Sequence, residues 1–304
     1  MSARLDYFST RLKETAPAFA QELDRTRSLE SATLDELGTV LLEWAEAAIG
    51  PSWADALIDG YCDFVVDVNR AQVRYERNHR YENSNFEEVY KRTYSDPEFM
   101  RLYHWGVYCS TFIWSHHLRI YKFFRQHFIP LLTGLEGGRL IDLGAGSGIW
   151  HLLTLRELPH WRVSAVDISQ SSIDRSRAMA ALVSRTAIDH VCADATKWLP
   201  DRAAQAGISC FLLEHLERPY ELVSSLSRCL DPGAHAFVTG ALTAAEIDHI
   251  FEFKRESEII QLVEDAGFRV KYMFSAAPDT TPSSRRYLPR SLALVLQKRK
   301  NEYW

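Results

Sequence analysis

The chain reads as an α/β protein with a doubly wound parallel sheet behind an all-helical N-terminal region, and three observations predict this. A short apolar strand at residues 139–143 runs into Gly144, Gly146 and Gly148. Beyond residue 130, strand-like and helix-like segments alternate, which implies parallel crossovers. Before it, residues 1–128 hold only four glycines, and apolar residues recur at helical spacing, as in Leu37, Val40, Leu41, Trp44 and Ala45. The expected organisation is a helical lid or substrate domain over 1–130 and a ligand-binding sheet domain over 131–304.

In the helical half, breaks fall at Gly50-Pro51, around Asn78–Asn85, and at Asp96-Pro97, where Ser95 or Asp96 with Pro97 supplies a cap and first turn. Past Pro130 and Gly134 comes the sequence Arg-Leu-Ile-Asp-Leu-Gly-Ala-Gly-Ser-Gly at 139–148. Its glycines remove side chains that would keep a ligand from the backbone and permit the positive φ of a tight strand-to-helix turn. The dinucleotide fingerprint is Gly-x-Gly-x-x-Gly, whereas this chain reads Gly-x-Gly-x-Gly, with no basic residue nearby to hold a diphosphate. A second strand, Trp161–Asp167, ends in an acid 19 residues after Gly148, placed to accept two ribose hydroxyls. Ile168 beside it is available to pack on a base. A third, Val-Cys-Ala-Asp-Ala at 191–195, ends in Asp194, which taken alone reads as a cap for the Thr196 segment. Leu213-Glu214-His215-Leu216 and the turn Leu230-Asp231-Pro232-Gly233 follow, and Phe268–Lys298 reads strand, loop, strand.

In this order the segments resemble class I S-adenosylmethionine-dependent methyltransferases of the small-molecule type, across roughly half the chain. The resemblance implies a Rossmann-like seven-stranded methyltransferase sheet closed by an antiparallel hairpin. It implies S-adenosylmethionine as cofactor, with Gly144, Ala145, Gly146 and Gly148 along the methionine part and Asp142 on its amino group. Asp167 would take the ribose, Ile168 the adenine face, and Asp194 with the Ala195 amide the adenine edge. Two departures stand out. The acid usual at the start of strand four is replaced by Gln205, in a strand weakened by Gly207, and no Asn-Pro-Pro-Tyr or Asp-Pro-Pro-Tyr follows it. Methylation of a nucleic-acid amine thereby loses support. Glu214 and His215 suggest acid/base chemistry, but the segment recurs in the family as a helix start.

The net charge of −5 and the lack of a Lys/Arg stripe argue against a nucleic-acid partner. Five scattered cysteines, at 62, 109, 192, 210 and 229, form no Cys-x-x-Cys pair and no zinc spacing. The N-terminus lacks the apolar run of a signal peptide, and no stretch approaches the roughly 20 apolar residues of a membrane span. A cytoplasmic protein is expected, with a small-molecule substrate, no membrane partner, and a homodimer as one allowed state.

From Tyr81 to Phe128 there are 14 aromatic residues in 48, against 12% for the whole chain. Burial in a core accounts for most of them. A sulfonium over an aromatic face gains about 0.5–2 kcal/mol, however, so this segment is the expected wall of the site. Tyr103, Tyr108 and Tyr81 are the catalytic candidates, since a hydroxyl can orient a nucleophile; Trp105, Trp114 and Asn69 are the candidate substrate wall. His104, His116, His117 and His127 converge with no carboxylate in the sequence, so no metal is expected. The polar stretch Thr280–Arg286 reads as a loop near the strand ends. Three functions are open: methyl transfer to a metabolite, leaving S-adenosylhomocysteine; cyclisation of S-adenosylmethionine itself, as in the azetidine-2-carboxylate synthases that share this fold, with release of methylthioadenosine; or a non-catalytic scaffold that keeps the fold. The intact acids at 142, 167 and 194 argue against the last.

Overall fold

A computed structural model describes residues 2–183, 188–279 and 288–300. Thr280–Arg286 lies outside the described residues. Helices come first: α1 (Ala3–Thr15), α2 (Pro17–Ile49), α3 (Trp53–Asn78), α4 (Phe86–Arg92), α5 (Pro97–Ile113), α6 (Ser115–Phe123) and, after a π-helical turn at Phe124–Phe128, α7 (Ile129–Leu132). The breaks have local causes. Gly50 ends α2 at φ 81°, and the Asp96 side chain accepts from the amides of Glu98 and Phe99 while Pro97 begins α5. A kink at Glu30, with φ −134° and ψ 39°, bends α2.

The sheet half contains β1 (Arg139–Leu143), α8 (Ile149–Glu157), β2 (Arg162–Asp167), α9 (Gln170–Val183), β3 (Ile188–Cys192) and β4 (Ala204–Ser209). After a 3-10 turn at Leu213–His215 come α10 (Pro219–Cys229), β5 (Leu230–Leu242), α11 (Glu256–Asp265), β6 (Phe268–Ala276) and β7 (Arg290–Lys298). The strand order is 3-2-1-4-5-7-6. Strands β1 to β5 pair in parallel, and β7 runs antiparallel to both β5 and β6. The order reverses between β1 and β4, and a ligand of such a sheet lies there, beyond the carboxyl ends of the strands.

One apolar core runs through both halves. It joins Leu5, Trp44 and Phe112 of the helices to Leu140, Phe237 and Val295 of the sheet. Within the helical layer, α3 and α5 cross at Gly60 and Gly106. A Cβ on Gly106 would lie 2.3 Å from Phe64 Cβ, and one on Gly60 would lie 2.7 Å from Trp105 Cβ. Glycine is thus what lets the two helices touch, and both turn residues toward the strand ends.

Candidate functional site

A cavity of about 1010 Å³ opens between the helical layer and the C-terminal ends of the parallel strands. Each strand contributes: Gly144–Ser147 follow β1, Asp167 and Ile168 end β2, Asp194–Lys197 follow β3, Cys210–Leu212 follow β4, and Ala241 and Ala244–Glu246 come from β5 and its loop. Opposite them stand Tyr61, Phe64, Asn69, Tyr94, Tyr103 and Trp114 from α3, α5 and their flanks.

At the sheet side the glycine turn is held by backbone bonds. The amides of Gly144 and Ala145 both donate to Val166 O, at 2.8 and 3.0 Å, tying the end of β1 to β2. Gly144, Gly146 and Gly148 all have positive φ, and the space beside Gly146 Cα is open. Asp167 accepts from the Gly146 amide (2.9 Å) and the Ser169 amide (2.8 Å). Burial nevertheless pushes its carboxyl up to about 6, against the pull of those two amides. Asp194 accepts from the Thr196 amide and hydroxyl and pairs with Lys197 at 2.7 Å. Burial pulls its carboxyl upward, yet the bonds from Lys197 and Thr196 outweigh that and lower it.

The far side of the cavity is acidic and aromatic. Glu214 and His215, on the 3-10 turn after β4, meet Glu246, Asp248 and His249 from the loop after β5. Tyr94 donates to Asp248 Oδ2 at 2.8 Å and lies 2.9 Å from His215 Nδ1. Burial raises Glu214, and raises Glu246 well above the carboxylate range with help from the neighbouring Asp248 and Glu214 charges. Burial also pulls Asp248 upward, but His215 and His249 hold it below its ordinary value. Burial presses His249 down to about 3, so its ring is neutral. Tyr94 and Tyr103 are raised by burial and by Asp248, so both keep their protons at neutral pH.

The structure separates the sequence-predicted residues. Gly144, Ala145, Gly146, Asp167, Ile168, Asp194, Ala195, Tyr103, Trp114 and Asn69 line the cavity. Asp142, Gly148, Tyr81, Tyr108 and Trp105 do not. Asp142 sits beneath the glycine turn, where its Oδ2 is 2.9 Å from His151 Nδ1, and Gly148 begins α8. Tyr108 is buried with its hydroxyl donated to Leu41 O, and Trp105 is buried under Arg175, whose guanidinium is 4.3 Å from the ring. Tyr81 donates to Ala244 O at 2.8 Å and fastens the loop after β5. Helical spacing marks these aromatics as inward-facing but does not say which of two buried faces each one takes.

Tyr94 belongs to the aromatic segment expected as the wall but was not singled out as a site residue, and Glu246, Asp248 and His249 were absent from the sequence expectations. The one sequence signal for the last three is Glu-Ile-Asp-His at 246–249, charged residues where a strand end should be turning to solvent.

Residues 141–238 match the family described as Methyltransferase domain. Among solved structures, one chain from a complex of the Haloferax volcanii Trm112 methyltransferase activator with a methyltransferase aligns at TM-score 0.50 and 16% identity, over 72% of this chain and 100% of that one. A methyltransferase from Bacillus halodurans aligns at 0.48 and 14%, over 57% and 97%. The [4+2]-cyclase SpnF aligns at 0.45 and 18%, over 57% and 79%. No curated protein matches. Together with the 3-2-1-4-5-7-6 sheet, the family match identifies residues 141–238, within the sheet half, as a methyltransferase domain.

Proposed function

We propose that this enzyme transfers the methyl group of S-adenosylmethionine to a small molecule held under the helical layer. The observation that carries the reading is the cavity itself. It joins the glycine turn, Asp167 and Asp194 to an acidic, tyrosine-bearing end in one space. Pockets for one drug-sized ligand run about 300–1,000 Å³, so a cavity of 1010 Å³ is large enough for the cofactor.

The residues at the strand ends suit the cofactor. The open face at Gly146 lets an amino-acid moiety approach the backbone, while Gly144 and Ala145 line the same stretch. Asp167 is assigned to the ribose hydroxyls, Ile168 to the adenine face, and Asp194 with Ala195 to the adenine edge. Asp142 and Gly148 support the turn from behind. When bound, S-adenosylmethionine supplies a carbon made electrophilic by its bond to a sulfonium. The chain supplies alignment and dryness. Phe64, Tyr103 and Trp114 present aromatic faces to the cavity, and protonated Tyr94 and Tyr103 are hydrogen-bonding groups suited to orienting an acceptor hydroxyl or amine. His215 holds Tyr94 on this wall, its Nδ1 2.9 Å from the tyrosine hydroxyl. Residues 1–130 act as the lid and residues 131–304 as the cofactor domain.

The aromatic wall also supports a second reading. In it, the amine of S-adenosylmethionine forms a bond to its own γ-carbon, the carbon–sulfur bond breaks toward sulfur, and methylthioadenosine, a proton and azetidine-2-carboxylate leave. The match to the methyltransferase family favours the first reading. Incubation with S-adenosylmethionine alone, followed by mass spectrometry, decides between them: methylthioadenosine with a cyclic amino acid overturns methyl transfer. S-Adenosylhomocysteine formed only when an acceptor pool is added supports it. Absence of cofactor binding in calorimetry would return the chain to a scaffold role.

A further inference from the structure

We propose that Glu214, His215 and His249 form a binding site for a divalent transition-metal ion of the zinc type, on the acidic wall of the cavity. The sequence expectation of no metal rested on His104, His116, His117 and His127, and none of these belongs to the cluster. Three observations converge on it.

First, each of the three residues brings a ligand atom within 4.8 Å of the other two, and all three are buried. Two imidazoles and a carboxylate are a donor set that such ions favour. The two rings lie 4.7 Å apart at 86°, so they are not stacked on each other.

Second, the hydrogen bonds fix which nitrogen of each ring is free. Tyr94 gives its one proton to Asp248, so toward His215 it is an acceptor, and His215 carries its proton on Nδ1. His249 lies 2.7 Å from Ala244 O through Nδ1, and a carbonyl only accepts, so that nitrogen also carries the proton. In the neutral imidazole this leaves the Nε2 atom of each ring with its lone pair. A ring N–H anchored to a carboxylate, through Tyr94 here, or to a carbonyl is the outer support that metal-binding histidines ordinarily have.

Third, Glu214 Oε2 is buried without a hydrogen-bond partner, although the residue is 1% exposed and lines the cavity. An unpartnered buried carboxylate oxygen is costly, and a cation removes that cost. Glu246 lies within reach as a fourth donor, its Oε2 3.8 Å from His249 Nε2. Positions left open on the ion would face the cavity, available to water or to an oxygen or nitrogen of a bound small molecule.

The test needs no turnover and no cofactor, so its failure leaves the methyl-transfer reading untouched. Protein stripped with chelator is titrated with zinc chloride by calorimetry and with cobalt(II) chloride by visible absorption. The expected result is one equivalent bound, with His249→Gln and Glu214→Gln each weakening zinc at least tenfold. His127→Gln, whose ring packs against Tyr272 away from the cluster, binds as the parent does. Tyr94→Phe, which touches no ligand atom, weakens zinc about tenfold through His215; it carries the test if either ligand variant fails to fold. No zinc heat, or affinity unchanged in all three cluster variants, overturns the site. An organic ammonium held by the acids alone predicts that negative result.

Discussion

Asp167 is the residue on which the cofactor reading turns. A ribose diol donates hydrogen bonds, so it needs the ionised carboxylate, yet burial keeps the ligand-free carboxyl protonated up to about pH 6. Affinity for S-adenosylmethionine is therefore expected to fall about tenfold between pH 7 and pH 5, and calorimetry at several pH values checks this. The ligand-free protein responds in the opposite sense. Its native state retains a proton that the unfolded chain has already released, so this group's contribution is fully present below the ordinary carboxylate value and is lost as pH rises through about 6. Asp167→Asn removes both dependences and abolishes measurable cofactor binding; a variant that binds as tightly as the parent would refute the ribose assignment. This residue was legible because a lone acid ending an apolar strand after a glycine turn has few structural uses. Asp142 illustrates the limit: the same motif marked it, but its carboxylate faces His151 at 2.9 Å, an alternative the sequence gave no reason to weigh.

At the scale of elements, periodicity and turn chemistry located most helices and strands, because a cap such as Asp96 or a terminator such as Gly50 acts through its immediate neighbours. The Glu30 kink and the π turn at Phe124–Phe128 were not legible, since no local residue demands either and the packing around them sets both. The crossing of α3 and α5 falls between these cases. Gly60 and Gly106 are two of only four glycines in the helical half, but their pairing appears only when the helices are laid together. Gly106→Ala would force a methyl group against Phe64 Cβ and the Gly60 carbonyl, at 2.3 and 2.8 Å, and neither can yield without moving a helix. Overpacking of this kind costs about 1–3 kcal/mol, so thermal unfolding should shift down by several degrees. Because α3 and α5 carry Phe64, Asn69 and Tyr103 to the cavity, cofactor affinity should weaken as well. A variant with unaltered melting temperature would show that the crossing is looser than these distances require.

The whole molecule is expected to unfold as one unit, for a reason visible in its core. Leu5 and Phe112 belong to the same apolar cluster as Leu140 and Val295, so the helical layer completes the sheet's core and is not a separate body resting on it. Polar bonds reinforce the seam: Tyr75 donates to Glu252 at 2.6 Å, the Asn83 amide to the carbonyls of Ile247 and His249, and the Ala245 amide to Gln72. The acidic wall depends on this seam, since Tyr94 and Asp248 are 154 residues apart in the chain. No spacing rule reaches that far, which is why the strand-end residues that line the cavity could be anticipated and the opposite wall could not. A shared core also makes a prediction about cooperativity. Calorimetry should give a single transition whose calorimetric and van't Hoff enthalpies agree, even though a chain of 304 residues has length enough for two independent domains. S-Adenosylmethionine at about 100 times its dissociation constant adds about 2.7 kcal/mol, and because the cavity is walled by both halves, that stabilisation should move the single transition upward as a whole by a few degrees. Two resolved transitions, with only the second responding to cofactor, would mean that the helical layer melts away while the strand-end residues alone still hold the ligand.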